Sequence, residues 1–197
     1  MKIRVTSILF LLLFLRIGYA QKNRTALFFP AVNSFSVANI QNGSSAFITP
    51  AGKTFYLFVF MSPECPLCQN YSATIQSIQE KYKQHLQVYA IVPGNTYDAA
   101  TIASFKQKYK VNFDFFADTS LQLTKYLQAT VTPEVLLLNT NMQLIYSGAI
   151  DNWAIALGKK RVKTTEFYLV NAIENTLHQQ PVSISHTNPV GCKINDY

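Results

Sequence analysis

Seven apolar residues in succession, Phe55-Tyr56-Leu57-Phe58-Val59-Phe60-Met61, constrain this chain more than any other feature. A strand sends alternate side chains to opposite faces, so a run with no polar position must be covered on both sides, in the centre of a sheet. Ser62-Pro63-Glu64 then leads to Cys65, after which Leu67, Tyr71, Ile75, Ile78 and Tyr82 recur at helical spacing. A helix therefore begins at or just after Cys65, with Pro66 at the first position, where a missing N–H is harmless.

The remaining elements fall around that strand. Between residues 21 and 54, short apolar stretches at Phe35 to Ile40 and Ala46 to Ile48 flank Asn42-Gly43 and predict a β-hairpin leading into the domain. Leu86 to Val92 is a second buried strand, closed by Pro93-Gly94. Ile102, Phe105 and Tyr109 mark a helix capped by Asn95 or Thr96. Phe113 to Ala117 is a short strand, Ser120 to Gln128 a short helix, and Val135 to Leu138 a third core strand, turned by Asn139-Thr140-Asn141 into Gln143 to Tyr146. Phe167, Val170, Ile173 and Leu177 form the stripe of a last helix. This order predicts an α/β fold: a central mixed sheet, parallel first and antiparallel at its end, flanked by helices and preceded by a β-hairpin extension.

The ends are read differently. Residues 1–20 have the layout of a secretory signal: Lys2 and Arg4, an apolar run from Ile8 to Leu15, and Gly18-Tyr19-Ala20 as a cleavage site before Gln21. The rival reading is an uncleaved membrane anchor; Arg16 interrupts the run, which is shorter than the ~20 residues a spanning helix needs, so cleavage with no stable membrane insertion afterwards is the expectation. The mature part, about 175 residues, suits one domain, assigned here to residues 21–180. Residues 181–197 are polar, contain two prolines and lack periodicity, which predicts a surface-hugging or mobile tail. Taking Lys2, Arg4 and Arg16 from the 17 basic residues leaves 14 against 10 acidic ones, a mature charge of +4, too mild and scattered for nucleic acid. The dense cluster Lys159-Lys160-Arg161-Lys163 reads as an exposed loop.

Cys65-Pro66-Leu67-Cys68 carries the chemistry. Zinc sites share this spacing but need a second pair of ligands at short range, and nothing near Cys65 supplies one. A redox pair instead wants its first cysteine at a helix N-terminus, where unpaired N–H groups and the helix dipole favour the thiolate. Cys65, exposed at the helix start, is expected to attack a partner's disulfide, and Cys68, one turn in and shielded, to resolve the mixed disulfide, leaving a Cys65–Cys68 bond. The third cysteine, Cys192, has no assigned role: a third redox thiol or an unpaired one.

With these residues in place, the chain resembles the thioredoxin-like redoxins of the alkyl hydroperoxide reductase/thiol-specific antioxidant superfamily, especially exported bacterial thiol–disulfide oxidoreductases. The matching segments are Ser62-Pro63-Glu64-Cys65-Pro66-Leu67-Cys68 after the core strand and Val131-Thr132-Pro133-Glu134-Val135-Leu136-Leu137-Leu138 before the hairpin. The resemblance implies a thioredoxin-like fold, a cis Pro133 facing the sulfurs, and a substrate groove formed by Thr132, Pro66 and Leu67. It implies protein thiols and disulfides as partners, a periplasmic or cell-envelope location, and no organic cofactor. Gly148-Ala149-Ile150-Asp151-Asn152, Leu157-Gly158-Lys159-Lys160-Arg161 and Gly191-Cys192-Lys193-Ile194 resemble redoxins found with cytochrome or copper-enzyme modules, which implies context rather than substrate.

Two departures matter. Pro66-Leu67 replaces the Gly-Pro of thioredoxin, and Val59 stands where thioredoxin keeps a buried Asp. Proton handling then falls to other groups, with Glu134 and Glu64 the nearest carboxylates in sequence; for Glu134 a catalytic role and plain surface charge are both open, and for Glu64 surface charge is favoured. Two rival functions remain. Ser62-Pro63-Glu64-Cys65 resembles a peroxidatic site, but that chemistry needs an arginine beside the sulfur, and Arg24 and Arg161 are the only mature ones. Alternatively, Cys65, Cys68, Cys192 and His186 could hold Cu(I) or zinc if the tail folds back on the pair.

Overall fold

A computed structural model describes residues 29, 32, 35–40, 44–48 and 52–194. The signal-like segment, Arg24 and the Asn42-Gly43 turn lie outside the described residues. Eleven strands and four helices follow one another as β1 (Ser36–Asn39), β2 (Ser45–Phe47), β3 (Phe55–Phe60), α1 (Pro66–Lys81), β4 (Leu86–Pro93), α2 (Ala99–Lys108), β5 (Asp114–Asp118), α3 (Gln122–Tyr126), β6 (Val131–Thr132), β7 (Glu134–Asn139), β8 (Leu144–Gly148), β9 (Ala154–Ala156), β10 (Lys159–Lys160), α4 (Tyr168–Leu177) and β11 (Cys192–Lys193) among these residues. Seven strands form the main sheet in the order β2-β1-β5-β4-β3-β7-β8. β3, β4 and β5 are parallel, whereas β7, β8, β1 and β2 run antiparallel to their neighbours.

The unbroken apolar run is explained by two cores, one on each face of β3. Phe55, Leu57, Val59 and Met61 join Tyr71, Ile75 and Ile78 of α1, Ile102 and Phe105 of α2, and Leu169, Ala172 and Ile173 of α4. Tyr56, Phe58 and Phe60 point the other way, to Leu123 of α3 and to Phe29, Val32, Val37 and Ile48 of the N-terminal extension. Every residue of β3 is buried, so the strand that leads into the cysteine motif is anchored on both faces. Removing apolar area of this kind from water contributes about 25 cal/mol per Å², which makes the sheet centre a rigid base for the loop above it.

Local corrections are few. The cap of α2 is Asp98, which accepts from Thr101 N at 2.7 Å, not Asn95 or Thr96. These bonds hold the Asp98 carboxyl below its ordinary range. The buried face of α4 is Leu169, Ala172 and Ile173, and Phe167 is exposed, because the helix starts one residue later than its apolar stripe suggests. Lys159 and Lys160 belong to a small exposed hairpin with β9 rather than to a plain loop.

The described part of the tail, residues 181–194, is fastened to the domain. Ser147 N of β8 donates to Ser185 O at 3.1 Å, and Thr187 N donates to Ser147 O at 3.0 Å, so residues 185–187 add a short parallel segment at the outer edge of β8. Further on, β11 pairs antiparallel with β6, matching Cys192 with Thr132 and Lys193 with Val131.

Candidate functional site

Cys65 is the N-cap of α1, in extended conformation, with Pro66 as the first helical residue. Its carbonyl accepts from Gln69 N at 3.1 Å and its own N–H donates to Ser62 O at 3.2 Å, which fixes the loop between β3 and the helix. The Cys65 side chain therefore stands at the positive end of a 16-residue helix, where a thiolate is stabilised by the dipole and free N–H groups. The peptide bond between Thr132 and Pro133 is cis, and Thr132 O sits 3.0 Å from Cys65 Sγ. The sequence segments that carried the resemblance thus meet at this sulfur.

In this structure Cys65 is bonded to Cys192, with 6.1 Å between their Cα atoms. The Cys65–Cys68 bond expected from sequence is therefore not the one formed in this structure, where Cys68 is a free thiol, fully buried. The cause is the pairing of β11 with β6, which sets Cys192 directly across from Thr132, the residue whose carbonyl touches Cys65. The expected exposure of Cys65 is also corrected, since beneath the tail it is 2% exposed. Cys192 itself is half-buried.

Ser62 N donates to the Cys68 sulfur at 3.4 Å, and this amide and the Thr132 side chain both favour its thiolate. Burial outweighs both and pushes the thiol up to about 12. A buried thiol in apolar surroundings is held in its neutral form until the site opens or charge is delivered to it.

A groove of about 310 Å³ opens above these sulfurs, lined among others by Ser62, Glu64, Tyr97, Thr132 and the two bonded cysteines. On its rim Ser62 Oγ donates to Tyr97 OH at 3.0 Å, and Tyr97 OH donates to Glu64 Oε2 at 3.3 Å. Leu67 is buried in the core and Pro66 is exposed. Glu134 is buried, but its Oε2 accepts from Thr130 N at 2.8 Å, Thr130 Oγ1 at 3.2 Å and Val131 N at 3.3 Å. The carboxylate thus holds the strand that carries Thr132.

Behind Pro133, Tyr71 OH donates to Asp151 Oδ1 at 2.5 Å, which also accepts from Trp153 N at 2.8 Å, while Tyr71 OH accepts from Ala154 N at 3.3 Å. Burial, then the hydrogen bond and charge of Asp151, push the Tyr71 phenol well above its ordinary range. The pair ties α1 to the loop after β8, next to Pro133 and Val190.

Of the two arginines considered for a peroxidatic site, Arg161 is the one among the described residues, and its Nε donates to Asn152 O at 2.8 Å. His186 Nδ1 pairs with Ser147 Oγ at 2.9 Å, and among the described residues no group of three His, Cys, Asp or Glu side chains is arranged to hold a metal ion. Sequence reasoning missed the Ser62 amide and brought the tail onto the cysteine pair only in the metal-binding alternative; the tail's own signal was the segment Gly191-Cys192-Lys193-Ile194. Among the described residues no helix is long and apolar enough to cross a membrane.

Comparison with known proteins bears on the fold and the family. No curated protein matches the sequence. An uncharacterized conserved protein from Geobacillus kaustophilus superposes with a TM-score of 0.75 at 16% identity, covering 86% of this chain and 90% of its own. A hypothetical protein from Sinorhizobium meliloti gives 0.73 at 22% identity, covering 87% and 95%. A thiol-disulfide oxidoreductase from Bacteroides fragilis gives 0.50 at 17% identity, covering 57% and 85%. The shared fold is thioredoxin-like, as the motif order implied. The family match, to AhpC/TSA over residues 31–147, carries oxidoreductase chemistry in general terms. A match over more than half of its length, joined to a thioredoxin-like sheet, establishes that the chain belongs to the AhpC/TSA family.

Proposed function

We propose that this protein is an exported thiol–disulfide oxidoreductase that exchanges disulfides with protein partners. Cys65 is the nucleophile, Cys68 the resolving thiol, and Thr132 lines the docking groove with cis Pro133 and the exposed Pro66 beside it, whereas Leu67 belongs to the core. The observation that carries the reading is the position of Cys65, at the head of α1 and 3.0 Å from Thr132 O, with a second thiol one turn inside. A partner's sulfur arriving along β6 meets Cys65 first. Cys68 then attacks from below, releases the reduced partner and closes the Cys65–Cys68 bond. Glu134, for which sequence left a catalytic role and plain surface charge both open, is buried and serves this site by fixing residues 130–131, and so acts as a positioning residue.

Export to the periplasm or cell envelope rests on the signal-like layout of residues 1–20 and agrees with a chain that holds a disulfide, since such bonds persist in oxidising compartments. The solved thiol-disulfide oxidoreductase from Bacteroides fragilis with the same fold lends the exchange reading further support.

The test is a trap. With Cys65 as the only cysteine left, in the Cys68→Ser, Cys192→Ser double variant, mixed disulfides with partner proteins accumulate and are lost again when Cys65 is also replaced. Capture by a Cys65→Ser variant, with none by the double variant, would reverse the assigned roles.

A further inference from the structure

We infer that residues 185–194 are an intramolecular substrate of the Cys65 site: the tail docks along β6 as a partner's cysteine-bearing segment would, and Cys192 stands where the partner's sulfur stands. This rests on the exchange reading above and names the kind of segment that reading requires.

Three independent features build the docking. The register is strand-like, with Cys192 opposite Thr132, Lys193 opposite Val131, and Ile194 N donating to Thr130 O at 3.1 Å. The approach is fastened upstream by Thr187, whose Oγ1 accepts from Ala149 N at 3.0 Å and pairs with the buried Tyr146 OH at 2.6 Å. Two glycines make room. A Cβ at Gly148, where φ is +124°, would overlap the Thr187 carbonyl oxygen, and one at Gly191 would lie 2.7 Å from Thr132 C and closer still to its oxygen. A tail lying at random on the surface would need none of these.

The disulfide itself is the fourth sign, because it joins the tail to the sulfur a partner would reach. Cys68, the free thiol, lies one turn into the helix that Cys65 caps, with Ser62 N donating to its sulfur at 3.4 Å, so an attacking sulfur is at hand. In the exchange step Cys68 gives up its proton to solvent and its thiolate attacks Cys65 Sγ. The Cys65–Cys192 bond breaks, the Cys65–Cys68 bond forms, and Cys192 leaves as a thiolate that takes up a proton. One disulfide is consumed and one formed, with no net oxidation. The reverse step returns the tail to the groove. The protein thus stores a single disulfide in two places, and the tail competes with partners for one strand edge.

The same geometry specifies the partner. An extended segment that pairs with Val131 and Thr132 brings the residue before its cysteine against the Thr132 carbonyl, as Gly191 does, so a glycine there is favoured.

Two measurements decide this. Non-reducing peptide mapping of the oxidised full-length protein is expected to yield the Cys65–Cys192 crosslink; a map with only Cys65–Cys68 and a freely alkylated Cys192, alongside successful partner capture, overturns the inference and leaves the exchange reading standing. In the full-length Cys68→Ser, Cys192→Ser variant, a peptide of residues 186–194 activated at its cysteine is expected to react with Cys65 roughly tenfold faster than the same peptide with valine in place of its glycine. Equal rates for the two peptides overturn the docking claim, and a Cys65 unreactive toward both and toward partner proteins removes the exchange reading as well.

Discussion

The free thiol of Cys68 gives the sharpest check on the site, because its environment fixes how its reactivity varies with pH. Burial raises it from an ordinary 9.0 to about 12, against the opposing pull of the Ser62 amide and the Thr132 side chain. Each pH unit is tenfold in the thiolate fraction, so at pH 8 the native thiol carries about a thousandth of the thiolate it would carry in the unfolded chain. Alkylation of the oxidised protein by iodoacetamide, followed by mass spectrometry at Cys68, should therefore be slow at pH 8 and fast once the chain is denatured. The slope is more telling than the rate. An ordinary thiol stops gaining reactivity near pH 9, whereas Cys68 should keep gaining about tenfold per unit beyond it. Reaction through transient opening obeys the same slope, since opening and ionisation are linked. The corresponding contribution to stability is fully present below pH 9 and is lost as the pH rises toward 12. A plateau near pH 9, or complete modification of native Cys68 within minutes at pH 8, would refute the account of a desolvated thiol.

Two further outcomes follow from hydrogen bonds at the site. Tyr71→Phe removes a donor to the buried Asp151 carboxylate and should destabilise the fold by about 1.5–3 kcal/mol, read by thermal unfolding, with a much smaller loss when Asp151→Asn is already present; equal losses in both backgrounds would sink the pairing. Thr187→Val removes the hydroxyl shared by Ala149 N and Tyr146, so the preference of Cys65 for Cys192 in a glutathione buffer should fall by about fivefold to thirtyfold, and an unchanged equilibrium would show that the tail is held elsewhere.

Much of the fold was legible because its signals are long. The run from Phe55 to Met61 has no polar position, and its two sets of side chains fill two separate cores. The helix after Cys65 repeats apolar residues over several turns, and Pro133 was placed by motif and is cis. Short signals failed. The cap of α2 had polar candidates at residues 95, 96 and 98, and the sequence does not say which backbone turns toward Thr101. β11 spans two residues and pairs through backbone, with specificity supplied by one hydroxyl at Thr187 and two missing side chains at Gly148 and Gly191. None of these creates periodicity. The disulfide partner of Cys65 was hidden for the same reason, since a short loop beside Cys68 is visible in sequence and a docked strand 127 residues away is not.

The segment at Ser185 to Thr187 also has a consequence for solubility. β8 is the last strand of the seven-stranded sheet, and the tail covers part of its outer rim. Bare sheet rims recruit strands from other molecules. Conditions that unfasten the C-terminus therefore uncover a hydrogen-bonding margin as well as a sulfur, and cleaving the disulfide should couple chemical activation to a greater tendency of copies to associate along β8.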